Sequence, residues 1–336
     1  MKKKIYLGAG FVTASIIGIG ILSSLTPRPV ITFARKTLFK IPKDTREKEY
    51  EDGNVHVYVN ESYHSKYQNN FFDIYIPKKP LAEKPFIAWI HGGGFVGGDK
   101  LEEKEYATKL AEKGYTVAVM NYALVPETNY PIPVIQAAEF IKYLMEHAEK
   151  YSVNRNNIFI AGDSAGAHIA SQLILAQINE KYRQSLGIEK VISIQQIRGT
   201  LLYCGAYDLP EIVNNHEITP VKYIFNKIGW AYSKDKNWGL AESTKNTIVS
   251  DFITKEFPAA YITDGNSFSF EEQGKLLAKK LNSQNVPVSQ RFFDKSEYKT
   301  AHEYQFDLKK EPGKIAFQDT INFLEKYRKK ANSSRN

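Results

Sequence analysis

Apolar residues recur along the chain in short runs bounded by turn-forming residues, and longer stretches with helical spacing separate these runs. Short apolar runs of this kind predict buried strands, and apolar residues three and four apart predict amphipathic helices. The predicted strands cover residues 71–76, 85–90, 115–120, 157–161, 200–204, 259–263 and 286–293. The predicted helices cover residues 104–113, 133–150, 165–177, 271–281 and 314–329. This alternation predicts an α/β fold with a mostly parallel sheet and helices on both faces.

Residues 209–257 interrupt the alternation, because they contain no run that predicts a core strand. They carry large aromatic residues interleaved with charges, among them Tyr223, Phe225, Trp230, Tyr232 and Trp238. A structureless loop of this length is improbable in a compact domain, so we expect helices that cover the sheet as a cap. Two interpretations stay open for these aromatic residues, plain packing of an excursion and a lid that binds an acyl group.

The cap insertion lies within a larger predicted domain. We expect one catalytic domain over residues 71–330, and residues 29–70 form an N-terminal segment that contributes to the cap and to the first strand. Residues 331–336 are polar and predict a frayed tail.

The N-terminus predicts a membrane anchor. Lys2, Lys3 and Lys4 precede an uncharged, mostly apolar run over residues 5–27, and a bilayer-spanning helix needs about 20 such residues. A cleaved signal peptide has a shorter apolar region, so residues 1–28 predict an uncleaved single-pass anchor at the cell membrane. The lysines favour a cytoplasmic N-terminus and an extracytoplasmic catalytic domain.

Charge and cysteine content narrow the possible partners. The 45 basic and 37 acidic residues give a formal net charge of +8, but the two signs are interspersed, which argues against a nucleic-acid partner. Cys204 is the single cysteine, so the chain can form neither an intrachain disulfide nor a cysteine-based metal site. We expect no metal and no organic cofactor.

A Gly-x-Ser-x-Gly sequence stands between a predicted strand and a predicted helix. Ser164 lies at the centre of Gly162-Asp163-Ser164-Ala165-Gly166. In this context the small residues permit a sharp turn that exposes the serine hydroxyl, so Ser164 is the candidate nucleophile.

A second glycine-rich sequence, His91-Gly92-Gly93-Gly94, follows the predicted strand 85–90. Consecutive glycines leave backbone N–H groups free to face a ligand, as in an oxyanion hole. The candidate donors are the N–H groups of Gly93, Gly94 and Ala165. No lysine-threonine pair follows these glycines, which argues against a phosphate-binding loop.

The candidate general base is His302, which lies between the last predicted strand and the C-terminal helix. His168 and His91 are interpreted as structural. Asp264 follows the strand 259–263 and is the candidate acid that orients His302, with Asp208 as the alternative. Asp163 is interpreted as a structural residue.

These motifs together resemble the bacterial esterases related to hormone-sensitive lipase. Asn121-Tyr122-Ala123-Leu124-Val125-Pro126-Glu127 is also similar to that family's Asp-Tyr-Arg-Leu-Ala-Pro-Glu segment. The resemblance implies an α/β-hydrolase fold, a cap, no cofactor and a preference for short acyl chains. It departs at Asn121 and Ala123, and alignment on Thr263 places the family's acid near Ser267.

The sequence therefore predicts a serine carboxylic ester hydrolase that cleaves small or short-acyl esters through an acyl-enzyme. Two alternatives use the same scaffold. A peptidase or an acyltransferase has the same three catalytic residues, and a binding protein typically loses the histidine.

Overall fold

The structure is a computed structural model that describes residues 22–214 and 219–328, and its centre is a nine-stranded sheet. The strands are β1 (Glu49–Asp52), β2 (Val55–Ser62), β3 (Phe71–Pro77), β4 (Phe86–Ile90), β5 (Thr116–Met120), β6 (Ile158–Asp163), β7 (Ile197–Tyr203), β8 (Ala260–Thr263) and β9 (Val288–Arg291). The helices are α1 (Arg28–Thr37), α2 (Lys104–Glu112), α3 (Ile132–Glu146), α4 (Ala165–Ile178), α5 (Glu180–Leu186), α6 (Glu211–Asn214), α7 (Pro220–Ser233), α8 (Glu271–Ser283) and α9 (Glu311–Tyr327).

The strands lie in the order β1-β2-β3-β5-β4-β6-β7-β8-β9. The pairs β1–β2, β2–β3 and β3–β5 are antiparallel, and the other five pairs are parallel. The sheet is therefore mostly parallel, as predicted. Parallel strands present their carboxyl ends at one edge, and β4, β6 and β8 each end there before a loop that carries candidate site residues.

The two strands that the sequence pattern did not predict lie at the antiparallel edge. Strand β1 has no fully buried residue, so it lacks an apolar signal. Strand β2 buries Val55, Val57 and Val59 but exposes or half-buries the residues between them. Alternation of this kind is typical of a strand with one solvated face. Its sequence signal is weaker than the continuous run of buried residues that forms β4 or β5.

Apolar side chains pack against both faces of the sheet. One core includes residues of α3, α4 and the cap helix α7, among them Val134, Ile169 and Ile228. The other core includes residues of α2 and α9, among them Leu110 and Phe323. Helix α4 is buried along almost its whole length, which makes it the central support for the residue that precedes it, Ser164.

The cap lies between β7 and β8. Helices α6 and α7 are followed by three 3₁₀ turns, Trp238–Leu240, Glu242–Thr247 and Val249–Phe252. The predicted helical insertion before the acid-bearing strand is therefore present. The N-terminal helix α1 contacts α7, and the ammonium group of Lys227 donates to Ser23 O at 2.7 Å.

The predicted localisation at the cell membrane through a single spanning helix is wrong. Among residues 22–214 and 219–328, no helix combines the length and the apolar character that crossing a bilayer requires. The sequence criterion counts consecutive apolar residues, and it does not test whether those residues form one continuous helix. Residues 1–21, which hold most of the predicted anchor, and the predicted tail 331–336 lie outside the described residues.

Candidate active site

Ser164 occupies a sharp turn between β6 and α4. Its backbone has φ 50° and ψ −117°, a conformation that a non-glycine residue rarely adopts. The turn is possible because α4 packs directly on β4, where a Cβ atom on Gly166 would lie 1.9 Å from Ile90 O. Strained backbone of this kind concentrates at functional sites, and here it holds the serine at the end of β6.

His302 and Asp264 complete a hydrogen-bonded row with Ser164. His302 Nε2 lies 3.0 Å from Ser164 Oγ, and His302 Nδ1 lies 3.3 Å from Asp264 Oδ1. Residues from three separate loops thus meet, although the serine and the histidine are 138 positions apart. The three residues that the sequence nominated are brought together in the order that general-base activation of a serine requires.

Asp264 is itself held by backbone donors. Its Oδ1 accepts from Gly265 N and its Oδ2 accepts from Phe270 N, both at 2.7 Å, and the residue is 2% exposed. The two alternative acid positions are engaged elsewhere. Asp208 Oδ1 accepts from Glu211 N at 3.0 Å, and Ser267 forms an isolated β-bridge with Ala301. The geometry therefore favours Asp264.

The electrostatic environment of His302 stabilises its charged form. Burial of the ring opposes protonation and lowers the pKa of His302. The hydrogen bond to Asp264 and the negative charges of Asp264 and Glu303 outweigh this effect, so the pKa of His302 is raised above its usual value of 6.5. Glu303 Oε1 lies 3.8 Å from His302 Nε2. A raised pKa suits a base that takes a proton from a serine hydroxyl and then holds it.

The glycine-rich loop after β4 lies beside the serine. Gly93 and Gly94 have φ values of +100° and +59°, which glycine adopts without strain. Within the described part of the chain, the N–H groups of Gly93, Gly94 and Ala165 donate no hydrogen bond. Gly94 and Ala165 line the same pocket as Ser164. These donors are thus available to an oxygen atom bound near the serine.

The two other histidines near these motifs have structural contacts. His91 Nδ1 lies 2.7 Å from Gly92 O, and its ring stacks on Tyr122 at 4.5 Å. His168 Nδ1 lies 2.7 Å from Ala206 O. Burial lowers the pKa of each ring to about 4, so both are neutral at pH 7. Neither ring has a described hydrogen bond to Ser164.

Asp163 supports the turn from behind. Its Oδ1 accepts from the indole N–H of Trp89 at 2.8 Å. Burial and the charge of Glu303 raise the pKa of Asp163 to about 8, so its carboxyl group is mostly protonated at pH 7. A neutral buried carboxyl in this position agrees with the structural role predicted for it.

An apolar pocket opens at Ser164 beneath the cap. Its empty volume is about 440 Å³, open solvent at the mouth included. Leu209, Ile212, Phe225, Ile228, Tyr232, Trp238 and Phe270 line it together with Phe95 and the residues around the serine. Of the five named aromatic residues of the cap, Phe225, Tyr232 and Trp238 line this pocket and also pack in or against the core, whereas Tyr223 and Trp230 do not line it.

Two neighbours of His302 had no predicted role. Phe270 packs edge-on against the His302 ring at a centroid distance of 5.4 Å and also contacts Phe225 of the cap. Glu303 adds its charge, as described above. In the sequence, only the closeness of Phe270 to Asp264 and of Glu303 to His302 could have indicated a role for them. Single aromatic and acidic residues are too common for closeness alone to identify them.

The described residues contain one group of three side chains that could offer metal ligands, namely Cys204, Asp264 and His302. Cys204 is fully buried, and burial raises the pKa of its thiol well above the usual range. Both ring nitrogens of His302 already face hydrogen-bond partners. Asp264 and His302 are thus engaged in the hydrogen-bonded row and the Cys204 thiol stays protonated, so the three side chains are poorly suited to bind a metal.

The mostly parallel sheet, the serine turn at the end of β6 and the histidine after β9 define an α/β-hydrolase. The chain belongs to the BD-FAE family, whose family model matches residues 72–281. The predicted relation to α/β-hydrolase esterases is confirmed at this level.

Individual relatives agree with the family. The chain is 31% identical over 160 residues to a probable isoprenylcysteine alpha-carbonyl methylesterase from Oryza sativa subsp. japonica, which covers 47% of the chain and 38% of that protein. It is 24% identical over 233 residues to kynurenine formamidase from Drosophila melanogaster, and this match covers 66% of the chain and 68% of that protein. The crystal structure of esterase B from Lactobacillus Rhamnosis superposes with a TM-score of 0.70 at 19% identity, covering 94% of both chains, which confirms the fold.

Proposed function

We propose that this protein is a serine carboxylic ester hydrolase that cleaves small esters with a short apolar acyl group. The observation that carries the proposal is the row Ser164–His302–Asp264 at the mouth of an apolar pocket. An acyl group in that pocket would place its carbonyl carbon beside the serine hydroxyl. The substrate class follows from the lining, which offers mainly hydrocarbon surface.

The proposed reaction has two halves. His302 Nε2 accepts the proton of Ser164 as its oxygen attacks the ester carbonyl, and the same imidazolium then protonates the leaving alcohol. Asp264 holds the Nδ1 proton and stabilises the imidazolium. Water, activated by the same histidine, then attacks the acyl-enzyme and releases the acid.

The negative oxygen of each tetrahedral intermediate needs donors that are already oriented. The N–H groups of Gly93, Gly94 and Ala165 serve this purpose in our proposal. One such donor contributes about 3 kcal/mol to the transition state in comparable sites. The position of Ala165 at the start of α4 adds the favourable field of a helix N-terminus.

The direct test is hydrolysis of a series of nitrophenyl esters from acetate to octanoate, combined with labelling by a fluorophosphonate. We expect turnover that is greatest for the short esters and stoichiometric labelling at Ser164, identified by peptide mass spectrometry. Absence of both turnover and labelling in folded protein would contradict the proposal and favour a binding function.

A formamide is the second candidate substrate class, because the Drosophila melanogaster relative is a kynurenine formamidase. The same row of residues can cleave an amide, provided that His302 protonates the departing amine. An aryl formamide and the matching aryl acetate distinguish the two, since the preferred substrate has the larger kcat/KM.

The raised pKa of His302 predicts the acidic side of the pH profile. His302 must be neutral to accept the serine proton, so kcat/KM should rise with pH through a pKa above 6.5. Replacing Glu303 by Gln removes a negative charge that favours the imidazolium. We therefore expect Glu303→Gln to move the acidic limb to lower pH, as measured from about pH 5 to about pH 9. An unmoved or upward-shifted limb would contradict the electrostatic role of Glu303.

In our proposal the bulk of Trp238, which lines the pocket, limits the length of the acyl group that can bind. Its indole lies against the backbone of α7, where a Cβ atom on Gly229 would be 2.1 Å from Trp238 Cε2. Trp238→Leu should enlarge the pocket and increase the kcat/KM ratio of octanoate to acetate about tenfold or more, since each buried methylene contributes about 1 kcal/mol. Trp230→Leu is the matched control, because Trp230 lies on α7, the helix that Trp238 contacts, and does not line the pocket. An equal change in both variants would argue against this role.

A further inference from the structure

An arginine of the N-terminal helix α1 contacts the loop that carries the oxyanion glycines. Arg35 Nε donates to Val96 O at 2.6 Å, although the two residues are 61 positions apart. A terminal nitrogen of the same guanidinium donates to Val125 O at 2.7 Å. Both terminal nitrogens also donate to the carboxylate of Glu127, at 2.7 and 3.1 Å. One side chain thus connects α1, the loop after β4 and the segment after β5.

The loop has unfavourable backbone conformations that outside contacts must support. Gly93, Gly94 and Phe95 are three consecutive residues with positive φ, and Phe95 has a side chain that disfavours its value of 65°. Inside the loop, Val96 N and Gly97 N both donate to Gly93 O. Val125 N donates to Phe95 O at 2.9 Å. Arg35 therefore closes a set of polar contacts around the oxyanion donors.

Phe39, just beyond α1, covers the same loop. A Cβ atom on Gly94 would lie 3.0 Å from Phe39 Cζ, and one on Gly97 would lie 2.0 Å from Phe39 O. The ring and the backbone of Phe39 thus fill the space beside these glycines. Phe95, within the loop, stacks on Tyr232 of the cap helix at 4.2 Å. The loop is consequently packed by the N-terminal segment and by the cap.

The ion pair of Arg35 is too exposed to act mainly through stability. The side chains of Arg35 and Glu127 are 26% and 50% exposed, and ion pairs this exposed contribute little to folding stability. The hydrogen bond from Arg35 lowers the pKa of Glu127, so the carboxylate is charged and orients the guanidinium at neutral pH. The two hydrogen bonds from Arg35 to Val96 O and Val125 O fix the position of the loop relative to the segment after β5. An ion pair between two side chains alone would not fix the backbone in this way.

We propose that Arg35 is a positioning residue for acyl transfer: by binding Val96 O and Val125 O, it keeps the N–H groups of Gly93 and Gly94 oriented toward the oxyanion. This inference rests on the proposed ester hydrolysis. Small displacements of oriented groups cost up to about 100-fold in rate, and loss of a whole donor costs about 100- to 1000-fold in kcat. A loosened loop should therefore affect kcat more than KM, because the oxyanion forms only after the substrate has bound.

The test compares Arg35→Ala and Arg35→Lys with Lys36→Ala, which removes an exposed cation from the same helix. With nitrophenyl acetate we expect Arg35→Ala to reduce kcat about 10- to 100-fold and to change KM less than about twofold. Arg35→Lys should give an intermediate kcat, because one ammonium group cannot hold both carbonyls and Glu127 in the guanidinium geometry. Lys36→Ala should resemble the wild type. The pKa of the acidic limb should be unchanged in all three variants, since none alters the partners of His302.

Thermal midpoints and circular dichroism separate positioning from folding. If Arg35→Ala folds and retains its kcat, or loses only thermal stability, the inference is wrong. If Arg35→Ala fails to fold, Arg35→Lys decides the question, and a wild-type kcat in that variant overturns the inference. Wild-type protein that hydrolyses no ester and takes no fluorophosphonate label would instead contradict the proposed function itself, so the two failures are distinguishable.

Discussion

Replacing Ser164 by Ala should reduce kcat for nitrophenyl acetate by about 10⁴-fold or more, because the acyl group then has no nucleophile to receive it. The fold should persist. The serine side chain makes one described hydrogen bond, to His302, and alanine can occupy the same turn with the same backbone strain. The measurement is steady-state turnover together with fluorophosphonate labelling, both of which should be lost.

A serine on the same helix provides the matched control for this variant. Ser171 is buried and its hydroxyl donates to Ala167 O at 2.8 Å, so Ser171→Ala also removes one hydroxyl from α4. We expect near-normal kcat in Ser171→Ala, because its hydroxyl is not part of the row. Turnover that survives in Ser164→Ala would show that another group carries the reaction, and the assignment of Ser164 would fail.

Replacing Asp264 by Asn should reduce kcat about 10³- to 10⁴-fold with little change in KM. An amide in place of the carboxylate can donate to Nδ1 and so favour the tautomer of His302 that carries its proton on Nε2. That tautomer cannot accept the serine proton. Loss of the negative charge also removes the main influence that raises the pKa of His302, so the residual activity should have its acidic limb at lower pH.

Asp208→Asn tests the competing assignment of the acid. Asp208 Oδ1 accepts from Glu211 N at the start of α6, and an asparagine oxygen can accept the same bond. We expect kcat within about twofold of the wild type for this variant. The reverse result, a large loss for Asp208→Asn and a small one for Asp264→Asn, would exchange the roles of the two aspartates.

Much of the fold could be predicted because its central strands are buried on both faces. Strands β4 and β5 are continuous apolar runs, and the helices between strands have clear helical spacing. Strands β1 and β2 were missed because an edge strand does not need buried residues on both faces. The helices α1 and α5 were missed as well, since they are short and expose much of their surface.

The candidate site was predictable as far as local sequence determines it. The turn at Ser164 requires small neighbours and the oxyanion loop requires positive φ, and both demands appear as glycines. The choice between Asp264 and Asp208 depends on which carboxylate reaches His302, and that distance depends on packing that no local pattern specifies. The contacts of Arg35, Phe270 and Glu303 were not predicted for the same reason.

The link between α1 and the glycine-rich loop after β4 separates two requirements of the proposed reaction, namely placing the nucleophile and stabilising the charge that it creates. The sheet and α4 can bring Ser164 to its turn through contacts among β4, β6 and β7. In our proposal the orientation of the N–H groups of Gly93 and Gly94 also depends on the contacts that Arg35 and Phe39 make with their loop. An assembled core with an undocked N-terminal segment would thus already contain the nucleophile while lacking an ordered environment for the charge it creates. Docking of the N-terminal segment would then add transition-state stabilisation to a nucleophile that the core already holds.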